Sequence, residues 1–120
     1  MTRVAIPIIG ASEDTSAPMD PRFGRAARFL IVDAESSKVL HSIANPAVDA
    51  EHGAGTGAAT LMKEHGVDAV IAGRFGPKAF EALNALGIEP WIAPPGLMAA
   101  QVLGLYVARE LEQMEVRVIR

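Results

Sequence analysis

A chain of 120 residues, half of them hydrophobic and with a mean hydropathy of +0.24, makes one domain and can fill a core. The absence of cysteine excludes disulfides, zinc–thiolate sites and any cluster ligated by the protein's own thiolates. A net charge of −3 without a basic run excludes a nucleic-acid surface, which needs clustered Lys and Arg. The longest apolar runs fall far short of the ~20 residues a membrane span requires, and Val4–Ile9 is too short for a secretory segment. A soluble, cytoplasmic protein is expected, with no membrane partner.

Val4, Ile6 and Ile8 alternate with Ala5, Pro7 and Ile9, so both faces of the first strand are apolar and it belongs inside a sheet. Pro7 cannot donate to a ladder, so either the strand pairs mainly before Pro7 or its nitrogen faces a gap. From Gly10 to Arg28 the chain turns polar and turn-rich, and loops of that length in a small domain usually carry function. Phe29–Asp33 and Val39–Ala44 are strand-like runs spaced for an antiparallel hairpin, with Val39, His41 and Ile43 on one face. Asn45-Pro46 breaks the second arm, and a polar stretch leads into Gly53-Ala-Gly-Thr-Gly57. Ala54, Ala58, Leu61, Met62 and His65 then mark one face of a helix that Gly66 ends.

Asp68–Ala72 is a short apolar run without alternation, the pattern of a strand covered on both faces. It stops at Gly73-Arg-Phe-Gly76, and Pro77 suits the first position of a helix whose inward stripe reads Ala79, Phe80, Leu83 and Leu86. Val70, Ile71, Phe80 and Leu83 are expected in the core. Ile88–Ile92 completes a βαβ unit, with Pro90 pointing to an edge strand. A third helix runs from about Ala99 to about Glu112, and Val116–Ile119 alternates like a brief extra strand. The pattern predicts a single three-layer α/β domain over residues 1–120 with a mixed sheet of about five strands and an additional strand at 115–119.

Two loops gather the residues suited to chemistry. Arg22, Phe23, Gly24 and Arg25 lie in the first, and Gly73, Arg74 and Gly76 in the second, which ends on a helix N-terminus. Such an end, at the carboxyl edge of a sheet, favours an anionic ligand, and forked guanidinium groups reinforce it. Gly53 and Gly55 loosely match a dinucleotide pattern, but no strand precedes them and no acidic residue follows at a strand end, so they read as a loop turning into a helix, a further site loop expected to contact the ligand. Neither glycine loop is a P-loop. Of three histidines, His65 suits a helix C-terminus and His41 packs on the sheet, which leaves His52, beside the glycine loop, as a metal ligand. Asp20, Asp33 and Asp49 form no recognisable catalytic set.

Asp20-Pro-Arg-Phe-Gly-Arg-Ala26, Phe29–Asp33, Asn45-Pro46, Gly53-Ala-Gly55 and Gly73–Phe80, in this order and spacing, resemble the dinitrogenase iron-molybdenum cofactor biosynthesis family, including its NifX-like and NifB C-terminal-like domains. The resemblance covers about residues 3 to 108. It implies a ribonuclease-H-like fold with strand order 3-2-1-4-5 and a non-enzymatic, nitrogen-fixation-related role as binding or carrier domain for an iron-sulfur or iron-molybdenum cluster. Cluster donor or acceptor proteins are the implied partners. Many members have His before the Phe-Gly of the first loop, where this chain has Arg22. The expected division of labour is therefore charge and hydrogen bonds from Arg22 and a nitrogen ligand from His52. An enzyme acting on a small phosphorylated substrate and a protein-binding regulatory domain are the alternatives.

Overall fold

The computed structural model describes residues 1–48 and 53–114. Its elements are β1 (Arg3–Ile8), β2 (Arg28–Asp33), β3 (Val39–Ala44), α1 (Ala54–Glu64), β4 (Ala69–Ala72), α2 (Pro77–Ala85), β5 (Glu89–Ile92), α3 (Ala99–Val107) and β6 (Glu112–Gln113). They form one mixed sheet of order β3-β2-β1-β4-β5-β6. The β1–β2 and β2–β3 pairs are antiparallel, β1–β4 and β4–β5 parallel, and β5–β6 antiparallel. The expected three-layer domain and the order 3-2-1-4-5 hold, with one further strand added.

The sheet is apolar on both sides because two helix layers cover it. Ala5, Phe29, Ile31, Val70 and Ala72 face α1 and α2 through Ala58, Ala59, Met62, Ala79 and Leu83. Val4, Ile6, Ile8, Leu30, Val32, Ala69 and Ile71 face α3 through Ala99, Val102 and Leu103. Pro7 is accommodated as expected. It lies opposite Phe29, and its carbonyl, on the β4 side, accepts the Asp20 N–H at 2.8 Å. Its nitrogen shares that side, beyond the Val4–Ala5 stretch that pairs with β4, so no ladder donor is missed.

Several local expectations need correction. Pro90 is not on an edge strand, since β6 pairs outside β5. Its carbonyl accepts the Met114 N–H at 2.9 Å, so its donorless nitrogen faces short β6 rather than β4. The extra strand is Glu112–Gln113, and 115–119 lies outside the described residues. The last helix stops at Val107 because Arg109 adopts a left-handed φ of 60° and Glu110 N–H closes back on Leu105 O at 2.9 Å. A bulge where β3 pairs with Ile31 and Val32 splits the supposed common face: Val39 packs on the α3 side and Ile43 on the α1–α2 side. Phe80 is half-buried, and the inward residues of α2 are Ala79 and Leu83.

Candidate functional site

Parallel neighbours β1 and β4 send their chains in opposite directions across the sheet, β1 to β2 and β4 to β5. The crevice at their carboxyl ends is the place where α/β sheets bind ligands. Residues 18–20 line its β1 side as an extra sheet-like segment: Ile9 N–H donates to Pro18 O at 3.0 Å, and Met19 N–H to Leu97 O at 2.9 Å. The loop after β4 is tied to the first loop by Gly73 and Arg74 N–H donating to Pro21 O at 3.0 and 2.9 Å. Gly73 is required by this approach, because a Cβ there would stand 2.7 Å from the Cβ of Pro21.

The two loops and the first turns of α1 and α2 enclose a cavity of about 390 Å³. Its wall contains Arg22, Phe23, Gly24, Arg25, Gly55, Arg74 and Gly76 from the sequence reading, and adds Phe75 and Lys78. Gly53 and Gly73 do not line it. Each acts one step behind, Gly53 as the left-handed N-cap of α1 at φ 78° and Gly73 as the seat of Pro21. His52 lies outside the described residues. Phe23 is 1% exposed and stacks on Phe29 and Phe75 with centroids at 5.5 and 5.2 Å, so its ring joins the cavity floor to the core. Gly76 has an ordinary extended backbone, φ −66° and ψ 162°, and a Cβ there would meet nothing within 4 Å. It needs no conformational freedom; the residue before a proline simply favours this region.

Among the described residues, four cations and no carboxylate stand on the cavity wall. Neither α1 nor α2 has a side-chain N-cap, so the first-turn N–H groups of both helices, including those of Lys78 and Ala79, have no partner within the helix. Asp20, 4% exposed, accepts from Arg22 at three points: the backbone N–H at 2.9 Å, Nε at 3.2 Å and Nη2 at 3.1 Å. This side-chain hydrogen bond first, and charge attraction second, raise the Arg22 guanidinium further above its ordinary value. Arg22 is therefore a fixed positive element with much of its fork committed. Among the described residues, Arg74 and Lys78 have no ion pair or side-chain hydrogen bond.

Asp20 and buried Asn45 were not recognised as site residues from the sequence. The Asn45 amide donates to Gly24 O at 3.2 Å and Ala26 O at 2.8 Å, and its oxygen accepts the Ala47 N–H at 3.0 Å. It holds the first loop against the end of β3. The Asp20-x-Arg22 spacing was the available signal for an Asx-type turn.

A family model described as dinitrogenase iron-molybdenum cofactor matches residues 3–109. The chain belongs to that family. It is similar to the apo form of the orange protein from Desulfovibrio gigas, at 34% identity and a TM-score of 0.87, over 95% of this chain and 93% of that one. It is also similar to a putative NifB protein from Thermotoga, at 34% identity and a TM-score of 0.79, over 98% of each chain. An uncharacterized protein of Methanocaldococcus jannaschii is 31% identical over 117 residues, 96% of this chain and 93% of the relative. Membership in this family fits a cofactor-binding or carrier role rather than catalysis. Among the described residues no helix is long and apolar enough to cross a membrane.

Proposed function

We propose that the protein is a non-catalytic carrier whose cleft between the first loop, α1 and α2 holds an anionic iron-sulfur or iron-molybdenum cluster as cargo. The observation that carries the reading is a cavity that, among the described residues, is walled by four cations, free of carboxylates and set at two helix N-termini without side-chain caps. A preformed cluster presents sulfides and negative charge, and charge-assisted hydrogen bonds grip such a surface without thiolates. Arg74 and Lys78 make the first contacts, Arg22 adds a fixed charge braced by Asp20, and the Lys78 and Ala79 N–H groups complete the donor set. His52 supplies a nitrogen ligand. Because an imidazole must be neutral to bind iron, loading weakens as pH falls through about 6.5, and His52→Ala removes that dependence while Arg74→Ala weakens loading at every pH.

A carrier of this kind works in the cytoplasm between donor and acceptor proteins. The test is anaerobic purification followed by metal analysis and an absorption spectrum with and without added cluster. Broad charge-transfer bands on the protein support the reading. Stabilisation by phosphate compounds alone, with no bound metal, overturns it in favour of a small phosphorylated ligand.

A further inference from the structure

The far end of α1 carries a second constellation, independent of the cleft. His41 sits on edge strand β3 opposite Ile31, on the face that packs against α1, and His65 is the C-cap of α1. An 11-residue helix separates this corner from the cleft by about 16 Å. The two imidazole centroids are 5.9 Å apart with the rings inclined at 68°.

The proton on His65 is placed by elementary chemistry. Its Nδ1 lies 3.0 Å from the carbonyl oxygen of Leu61, and a carbonyl has no proton to give, so Nδ1–H is the donor and the neutral ring carries its lone pair on Nε2. Arg3 Nη1 donates to the His65 carbonyl at 3.0 Å and pins the residue from the other side. An imidazole fixed through one nitrogen by a backbone carbonyl is the arrangement that orients metal-ligating histidines. Apart from that contact, no hydrogen bond engages either ring among the described residues.

We infer that His41 and His65 together bind one divalent ion of the imidazole-preferring kind: copper(II), nickel(II) or zinc(II). Bonds of about 2.1 Å to each ring place two imidazole centroids on one ion about 5 to 6 Å apart. No group of three or more His, Cys, Asp or Glu lies together among the described residues, so the described residues supply two ligands and water fills the other positions. Without carboxylates the site rejects magnesium and calcium, and copper(II) binds tightest of the three.

The test is calorimetric titration of the untagged, metal-free chain with each chloride salt in neutral buffer, followed by nitrogen-15 NMR of the zinc form. One ion per chain is expected, with copper tightest, magnesium and calcium silent, and affinity lost by about tenfold or more in His41→Ala and in His65→Ala. The His65 Nε2 resonance should move and Nδ1 remain protonated. Exposed His41 can be replaced without touching the core, so it tests the site even where His65→Ala unfolds α1. Binding retained by the His41 variant, absent from the wild type, or lost only on replacing His52 overturns the inference.

Discussion

Gly55→Ala probes the closest contact in the cleft. In an ordinary helix the change is favourable by up to about 1 kcal/mol, because alanine loses less backbone freedom on folding. Here a Cβ on Gly55 would stand 2.7 Å from the Cβ of Ala79 and 3.2 Å from its Cα and N, while Gly24 lies so close above that its own Cβ would be 3.1 Å from Gly55. Carbon atoms settle at about 3.5 to 4 Å, so α1 and α2 must part by most of an ångström. Parting loosens the packing of Ala58, Met62 and Leu83 beneath them. Overpacking of this kind costs about 1 to 3 kcal/mol, leaving a net loss of up to about 2 kcal/mol after the helix preference is subtracted. Urea denaturation should show a midpoint lower by up to about 1 M at unchanged slope. In a double-mutant cycle, Ala79→Gly removes the opposing methyl and should restore part of the loss in the Gly55→Ala background, although by itself it destabilises. A Gly55→Ala variant more stable than the wild type would refute the three-backbone contact.

Leu83→Ala, at a fully buried position, should cost about 2 to 5 kcal/mol, whereas half-buried Phe80→Ala should cost less; equal midpoint shifts would reverse the assignment of the α2 face. A Cβ on Gly76 would meet no atom within 4 Å, and Gly76→Val adds methyl groups to the cleft wall, so titration calorimetry should show weakened cargo binding by a folded protein, and undiminished binding would remove Gly76 from the site. Glu35 is drawn from 4.5 to about 2, first by the Thr2 N–H that donates to both carboxylate oxygens at 3.0 and 3.2 Å. Its lowered value means a stabilising contribution present above the ordinary carboxylate range and lost as pH falls toward 2. The stability gap between wild type and Glu35→Gln should therefore shrink between about pH 4.5 and 2, and a gap indifferent to pH would contradict the assignment.

Periodicity revealed the interior strand at Ala69–Ala72 because four adjacent apolar residues leave no solvent face. It also revealed the helix that begins at Pro77, whose first-turn signal is local. The convergence of the two loops was legible for a related reason: both follow strands that end together at the crevice. What escaped was tertiary. The stripe of α2 was read through its largest residue, yet close approach to α1 selects the small Ala79 and leaves Phe80 half-buried. The bulge in β3 depends on pairing rather than composition, so alternation assigned Val39 to the wrong face. Arg109 ends α3 in a conformation usually given to glycine, and nothing in its side chain announces it. Asp20 was dismissed as a catalytic acid, when its burial beside Arg22 makes it a brace.

The most direct test of the carrier reading is to mix the metal-free protein anaerobically with isolated iron-molybdenum cofactor or its iron-sulfur precursor and measure iron in the protein peak of a sizing column. Iron should co-elute with the wild type and be strongly reduced in a folded Arg74→Ala, Lys78→Ala double variant. No co-elution with the wild type at any pH from about 6 to 8, the range around the histidine midpoint, would contradict the assignment of the cleft as a cluster site.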